Sequence, residues 1–522
     1  MKGTVRFATQ GALIRFAYDV FGVLPRKEAA DDLDEKAKKT LQKQLDRLAK
    51  EEGLLSSNLG QSIQLLSYIL MGILPSNRIM SVIGDTLFDL QEAYSELVRS
   101  EGTYLDQAQT LRYFISTEAV PQFVVSLNRN LLRHRIADFE FVIPEEEHWY
   151  LPTIGDDGTL TLPLAKVLRW TYQVCGVSQT QFHYPGKCAA SDSVKLQRNL
   201  DNAINWTRGS NLPALPALVK NFEESFLAMA DRHYEIPKPL QASIFVALVV
   251  ARASSFVAKK IAQNYDADYL RDVCRQYRDY SAWISDDVCE FKAELQPVME
   301  AQASPEVAQT VWSKACAHYW AFFHTKVTLA GEALQRYHDE SSDQAVSEGV
   351  VKALTIKYGR FSVSVCLDIA QRRKSFKSPA GFAELLGVGF ELKRNPETQW
   401  EQISQYAAQV ETRGLQEHLC WMIPWLRAVY YYRREDFEAA MSEYQVAFDA
   451  AKYRAGRLQY HLVNQYVEVA AKNDKMRCFR KGIEWAQYLG VQIRWLRDDE
   501  PTEEKLDFVY GMLKMARYDL YL

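Results

Sequence analysis

The sequence predicts a mostly α-helical protein of several domains, with at most a small β-hairpin near residues 138–162. Apolar residues recur at steps of three and four over long stretches, which is the spacing of one face of a helix. Nine of the 17 prolines fall between Pro121 and Pro239, so the helical pattern is interrupted chiefly there. A length of 522 residues exceeds what one hydrophobic core accommodates and corresponds to about two to four domains.

Composition and charge are those of an ordinary folded protein. Hydrophobic residues make up 48% and charged residues 25% of the sequence, a balance that neither disordered nor collagen-like chains show. The formal net charge of -4 and the pI of about 6.2 argue against a protein that coats nucleic acid non-specifically. Any contact with nucleic acid is therefore expected to be confined to a local basic surface.

The cysteines and the apolar segments bear on location and cofactors. The eight cysteines lack the short spacing of a metal knuckle, which predicts reduced thiols in a cytoplasmic protein and neither a metal site nor a cofactor. The apolar run from Ser62 to Pro75 is too short to span a bilayer, and the run from Ala242 to Ala258 contains Arg252. Both runs are predicted to be buried core helices, so no membrane contact is expected.

Residues 1–140 are predicted to form a first helical domain. Its pattern is clear around Leu41, Leu45 and Leu48, which form one apolar stripe among lysines and acidic residues. The charged remainder of this helix is expected to face solvent.

Residues 141–239 are predicted to be a proline-rich irregular region, followed by a central helical domain over residues 240–377. The irregular region holds the best strand signal in the chain, because short β-forming segments flank the sequence "GDDG" at Gly155–Gly158. These four residues are expected to close the hairpin.

Two stretches of the irregular region match the halves of a DNA-binding module. In "VLRWTYQVCGVSQTQF" (167–182) a Leu-Arg helix precedes Gly-apolar-Ser-Gln, and "INWTRGSNLPALPAL" (204–218) follows in the same order. Residues 164–222 thereby resemble a helix-turn-helix domain of the lambda-repressor or XRE type. The resemblance implies that Gly176 ends one helix, that Ser178 caps the next, and that polar side chains of a recognition helix meet DNA. The candidate nucleic-acid-binding residues are Gln179, Lys195, Gln197, Arg198, Asn199, Asn202, Asn205 and Arg208.

A purely structural role is the alternative for this module. Leu200, Ile204 and Trp206 then belong to a hydrophobic core, and the Pro-Ala-Leu-Pro sequence only begins another helix. On that interpretation the module is a rigid joint.

Residues 378–522 are predicted to form paired helices. In "WLRAVYYYRREDFEAAMSEYQVAFDAAKYRAG" (425–456), small and aromatic residues alternate around a turn at Arg434–Asp436, and a similar segment has its turn at Asn473 and Asp474. Residues 378–500 resemble tetratricopeptide-like helical repeats, which implies a concave groove that binds a protein or peptide partner. An ordinary helical bundle with alanine and aromatic packing is the alternative.

The sequence "RNLLRH" (129–134) joins an arginine, a polar residue and a histidine. It resembles the signature of HEPN ribonucleases, all-helical enzymes that place this arginine and histidine across a dimer cleft. The resemblance implies that Arg129 stabilises charge on an RNA phosphate, that His134 exchanges protons with the 2′-hydroxyl or the leaving group, and that Asn130 positions them. The alternative is a surface histidine at a basic helix end.

These features predict a cytoplasmic regulatory or interaction protein. It binds a protein or peptide partner through the carboxyl-terminal repeats and contacts DNA through the helix-turn-helix-like module. The first alternative is a HEPN-like, metal-independent ribonuclease of the stress or anti-phage type. The second alternative is a scaffold that contacts only proteins.

Overall fold

The computed structural model describes residues 4–23, 43, 55–72, 77–135, 141–185, 193–232, 234–302, 304–340, 346–496 and 501–516. Within these ranges nearly all regular structure is helical, and the sheet consists of two short strands. The predicted mostly α-helical fold is therefore confirmed. The helix predicted around Leu41, Leu45 and Leu48 lies outside the described residues.

The amino-terminal part consists of helices, one of which begins and ends at clear local signals. The Thr9 side chain accepts a hydrogen bond from the Ala12 N–H at the start of the first helix, and Gly22 ends it with a φ of 61°. The helices are α1 (Gln10–Phe21), α2 (Leu55–Met71), α3 (Asn77–Ser100), α4 (Gln107–Phe114), the π-helix Ile115–Ala119 and α5 (Val120–Arg133). α3 packs along α5.

A hairpin and a group of shorter helices follow. Strand β1 (Thr153–Ile154) pairs antiparallel with β2 (Leu160–Thr161), and Ile154 lies opposite Leu160. The hairpin predicted around "GDDG" is thus confirmed. The helices are α6 (Pro163–Val174), α7 (Gln179–His183), α8 (Ser193–Thr207) and α9 (Leu215–Ala230). α8 contacts α6, α7 and α9.

Long helices form the central part of the chain. They are α10 (Lys238–Asn264), α11 (Ala267–Glu300), α12 (Pro305–Glu340), α13 (Glu348–Tyr358) and α14 (Arg360–Arg373). One hydrophobic cluster joins α5 to α11, α12 and α14 through Val124, Tyr280, Trp320 and Phe361. The end of α5 is therefore held by α3 and by the central helices.

The carboxyl-terminal part consists of helical hairpins. Its helices are α15 (Phe382–Arg394), α16 (Trp400–Thr412), α17 (Met422–Arg433), α18 (Phe437–Ala451), α19 (Gln459–Lys472), α20 (Met476–Leu489) and α21 (Glu503–Met515). α17 packs on α18, and α19 packs on α20. Both predicted turns are confirmed, because they fall between these paired helices. The small and aromatic positions at the interfaces are buried, namely Ala428, Ala440, Tyr444, Ala447, Phe479, Ile483 and Ala486.

The amino-terminal segment packs against these hairpins. The Phe7 N–H donates to the Tyr453 carbonyl at 2.8 Å, and the Thr103 N–H donates to the Arg454 carbonyl at 2.7 Å. One hydrophobic cluster contains buried residues from Phe7 through to Leu513. The predicted divisions at residues 140, 239 and 377 stay predictions, while the first and last predicted segments share a core.

Among the described helices, α10 alone is long and apolar enough to cross a membrane by length and composition. Its buried Arg252 donates to the carbonyl of Asp19 at 2.7 Å and to that of Pro213 at 2.9 Å. Ile244 and Leu248 on the same helix are buried in the protein core. These contacts with α1 and with the segment before α9 are those of a core helix, as the sequence predicts.

Candidate functional site

The residues of "RNLLRH" lie at the carboxyl end of α5. His134 follows the helix as its C-cap, and its backbone N–H donates to the Asn130 carbonyl at 3.0 Å. Arg135 has a φ of 51°, which ends the helix directly after His134. The arginine, asparagine and histidine of the motif are therefore gathered at one helix end.

Two carboxylates of α3 face this end of α5. Asp85 and Asp89 are four residues apart and so share one face of α3. Asp89 accepts a hydrogen bond from the Arg129 guanidinium, and Asp85 Oδ2 lies 3.1 Å from His134 Nε2. Arg133 Nη1 also reaches Asp85 Oδ2 at 3.6 Å. The structure thus joins the predicted arginine and histidine to two acidic groups that the sequence interpretation did not include.

Asn130 is fully buried between the two helices, with 0% of its surface exposed. Its Nδ2 donates to Thr86 Oγ1 at 3.2 Å and to Asp89 Oδ2 at 3.4 Å. Its Oδ1 has no hydrogen-bond partner among the described residues. Asn130 therefore joins α3 to α5 inside the protein and does not itself face solvent.

A second histidine approaches from α12. This helix packs on α5, where the Trp312 indole N–H donates to the Leu132 carbonyl at 3.1 Å. His324 lies on α12 and keeps an exposed surface. Partial burial lowers the pKa of its imidazole, the charge of Arg129 lowers it further, and Asp89 opposes both. These effects place His324 within electrostatic range of Arg129 and Asp89.

The ion pairs leave the key side chains accessible. The exposed fraction is 28% for the Arg129 side chain and 21% for that of His134. A guanidinium presents paired donors that match phosphate oxygens, and an imidazole exchanges protons near neutral pH. The described residues contain no group of three or more His, Cys, Asp or Glu side chains that could hold a metal ion. The arrangement is thus suited to binding a phosphodiester and moving protons.

The residues that resemble a helix-turn-helix lie on α6, α7 and α8. Gly176 has a φ of 63° where α6 ends, and Ser178 caps α7 in a capping box with Gln181. The Gln179 side chain donates to Thr207 Oγ1 at 3.2 Å, so its amide is engaged with α8. The predicted helix end and cap are confirmed, whereas DNA binding stays a prediction.

The candidate readers of nucleic acid divide between the two faces of α8. Asn199 is buried, and its Nδ2 donates to Glu224 Oε2 of α9 at 2.8 Å. Asn199 therefore packs the two helices together and does not face solvent. Asn202 is half-buried, and Leu200 and Trp206 belong to the protein interior. The exposed candidates are Lys195, Gln197, Arg198, Asn205 and Arg208.

The hairpins of the carboxyl-terminal part leave one aromatic patch half-exposed. Its rings are those of Trp400, Tyr430 and Tyr431, and 5.3 Å separates the ring centroids of Trp400 and Tyr430. The Arg434 guanidinium lies 3.5 Å from the Tyr430 centroid. Aromatic and arginine side chains of this kind are the usual anchors of peptide interfaces.

Comparison with known proteins identifies no relative of this chain. No family model matches the chain, and neither a curated protein nor a solved structure shows significant similarity to it.

Proposed function

We propose that the site at the end of α5 cleaves RNA. The observation that carries this proposal is the cluster in which the accessible Arg129 and His134 meet Asp85, Asp89 and the buried Asn130. The cluster supplies a cation for the phosphate, an imidazole for proton transfer and carboxylates that orient both. The resemblance of "RNLLRH" to the ribonuclease signature supports the same chemistry.

The proposed reaction is a transesterification within the RNA chain. The 2′-oxygen attacks the adjacent phosphorus, the O2′–P bond forms and the P–O5′ bond breaks, which yields a 2′,3′-cyclic phosphate and a 5′-hydroxyl. One imidazole takes the proton of the 2′-hydroxyl, and another gives a proton to the leaving 5′-oxygen. His134 performs one transfer, and His324, whose pKa responds to the charges of Arg129 and Asp89, is proposed for the other. Arg129 stabilises the negative charge that accumulates on the phosphate oxygens.

The acidic residues act as positioning residues in this proposal. Asp85 holds the His134 ring through Nε2, and Asp89 directs the Arg129 guanidinium. Asn130 of α5 donates to both Asp89 and Thr86 of α3 and so fixes the distance between the two helices at this point.

Cleavage of labelled single-stranded RNA by the purified chain tests the proposal. His134→Ala is expected to reduce the rate about 100-fold or more, because a positioned acid or base contributes about 10²–10⁴-fold. His318→Ala removes an exposed histidine of α12 and is the matched control, which retains the rate. A substrate with 2′-deoxyribose at the scissile position is expected to stay intact. Equal cleavage by His134→Ala and the unchanged chain refutes the proposal.

A second function, nucleic-acid binding by α8 and the residue that follows it, is favoured by exposed polar and basic side chains that include Gln197, Arg198 and Arg208. Together with peptide binding at the patch of Trp400, Tyr430 and Tyr431, this nucleic-acid binding would make the chain a regulatory protein. Fluorescence anisotropy with duplex DNA over a salt series tests the binding. Arg198→Glu with Arg208→Glu is expected to reduce the slope of log affinity against log salt by about two.

A matched pair of substitutions controls for the loss of positive charge. Lys220→Glu with Arg232→Glu changes two exposed cations of α9 and its end, away from Arg198 and Arg208. If this pair reduces the slope as much as the α8 pair, α8 is not the binding surface.

A further inference from the structure

Lys393 is a buried lysine in the last turn of α15, with 8% of its surface exposed. Its Nζ lies 4.8 Å from the ring centroid of Trp425 on α17. Within the described residues, no carboxylate contacts this ammonium group, and the charged groups that act on it are the cations Arg433 and Arg394. Lysine is rarely buried without a partner of opposite charge.

Other basic groups lie around Lys393. Arg433 donates from Nη2 to the Lys393 carbonyl and from Nη1 to the Asn395 carbonyl, each at 2.6 Å. Arg394 is the next residue of α15 and is exposed, and His461 is exposed at the start of α19. Lys393 and Arg394 both act electrostatically on the His461 imidazole. Three helices therefore bring basic side chains to one place.

Trp425 of α17 connects α15 to α19. Its Nε1 donates to Gln465 Oε1 of α19 at 2.6 Å. His461 precedes Gln465 by four residues, so both lie on one face of α19. Lys393 and His461 consequently lie on the parts of α15 and α19 that meet at Trp425, where Lys393 is buried and Arg394 and His461 are exposed.

Within the described part of the chain, no acidic side chain forms an ion pair with Lys393, Arg394 or His461. The carboxyl end of α15 contributes about half a negative charge, against the full charges of Lys393, Arg394 and Arg433. Burial lowers the pKa of Lys393, and the two arginines lower it further. Burial also lowers the pKa of His461, and Lys393 and Arg394 add to that effect. An anion between these groups would stabilise all of them.

We propose that Lys393, Arg394 and His461 bind the phosphate group of a small phosphorylated molecule. The proposal is independent of RNA cleavage at α5. A phosphate dianion balances several cations, whereas a carboxylate carries a single charge, and lysine ammonium groups commonly bind phosphate as point charges. Because Lys393 is almost fully buried while Arg394 and His461 are exposed, a compact anionic group suits this arrangement best. Free phosphate and a phosphate ester share this chemistry.

Thermal unfolding of the full chain with inorganic phosphate, methyl phosphate or acetate at equal ionic strength tests the proposal. Phosphate is expected to raise the midpoint temperature by about 2 °C or more at saturation, and acetate is expected to leave it unchanged. Lys393→Met keeps the aliphatic contact with Trp425 and removes the charge, so the phosphate shift should disappear. Lys377→Met changes an exposed lysine and should retain the shift.

A phosphate shift of equal size in the unchanged chain and in Lys393→Met overturns the proposal, as does the absence of any shift in the unchanged chain. An equal shift with acetate overturns the choice of phosphate. If Lys393→Met does not fold, His461→Gln and Arg394→Gln replace it, and calorimetry should find phosphate binding weakened about tenfold in each. Binding of methyl phosphate as tight as that of inorganic phosphate assigns the site to an ester, and weaker binding assigns it to the free ion.

Discussion

Arg129 is paired with Asp89, yet in the proposed function it also contacts a phosphate. A partly exposed ion pair contributes only about 0–1 kcal/mol, so a phosphate can share the guanidinium without breaking the fold. Asp89 also accepts a hydrogen bond from the buried Asn130 and is therefore fixed in place. At the scale of single residues, the carboxylate directs the arginine and does not block it.

Asp89→Asn tests this role because it keeps the size of the side chain and removes its charge. The cleavage rate on single-stranded RNA is expected to fall about tenfold, since a neutral amide holds the Arg129 guanidinium with only about half the strength of a carboxylate. The catalytic efficiency kcat/KM is the quantity to measure. Glu92→Gln, an exposed change on the same helix, serves as the control. A rate increase in Asp89→Asn indicates instead that the carboxylate inhibits the arginine.

Glu468 is expected to make the free energy of unfolding depend on pH. The residue is buried, and the Tyr432 hydroxyl donates a hydrogen bond to it. Burial raises its pKa from 4.5 to about 8, against the lowering effects of Tyr432, Lys472 and Arg494. Because the folded state holds the proton more tightly, its contribution is fully present below pH 4.5 and is lost as the pH rises to about 8.

Glu468→Gln removes this dependence and keeps the shape of the side chain. The stability of the variant relative to the unchanged chain is expected to rise with pH by at most about 1.4 kcal/mol per pH unit over that window. Urea unfolding at several pH values measures it. Glu438→Gln, at an exposed position, should show no such trend. A constant difference between Glu468→Gln and the unchanged chain contradicts the assignment.

At the scale of elements, the sequence predicts what depends on local signals. The hairpin at Gly155–Gly158, the end of α6 at Gly176 and the cap of α7 at Ser178 each follow from a few adjacent residues. Arg129, Asn130 and His134 could likewise be selected, since one hexapeptide contains them. These features need no knowledge of which helices are neighbours.

The remainder of the site depends on contacts between distant segments. Arg129 and Asp89 are 40 positions apart, and His134 and Asp85 are 49 apart. The two aspartates show only the four-residue spacing common to any polar helix face, and His324 has no local signal at all. Asn199 illustrates the converse, because its buried position depends on the packing of α9 against α8.

Arg252 shows how one element organises others. It carries a buried charge, but its donors satisfy carbonyls at the end of α1 and before α9. Arg252→Met is expected to lower the free energy of unfolding by about 2 kcal/mol, because these carbonyls lose charged donors inside the protein. Urea unfolding of this variant and of Lys260→Met, an exposed change on the same helix, measures the difference. An Arg252→Met chain as stable as Lys260→Met contradicts this role.

At the scale of the whole molecule, the loop after α3 meets the hairpins at Gly456. A Cβ atom added there would lie 2.4 Å from the Glu101 carbonyl carbon and 2.4 Å from the Gly102 nitrogen. Its φ is +51°, a conformation that favours glycine. The close approach of two backbones therefore requires glycine at this position.

Gly456→Ala is expected to lower the stability of the whole chain. Comparison with Gly490→Ala separates the effect of the close backbone approach from the effect of the positive φ. Gly490 also has a positive φ, of +69°, but a Cβ there would meet nothing within 4 Å. Gly456→Ala is expected to cost about 2 kcal/mol more than Gly490→Ala, since overpacking typically costs about 1–3 kcal/mol. Thermal unfolding compares the two variants, and equal losses of stability contradict a close approach at Glu101.

The pairing of Arg454 with the Val5 carbonyl spans 449 positions of the chain. During synthesis at about 5–20 residues per second, the first segment therefore waits about 20–90 s before this partner leaves the ribosome. Until then the residues before α1 lack their hydrogen bonds with Tyr453 and Arg454, and contacts of such long range also close slowly in refolding. Translation speed and chaperone supply should therefore affect the yield of this protein more than they affect helical proteins built from local contacts.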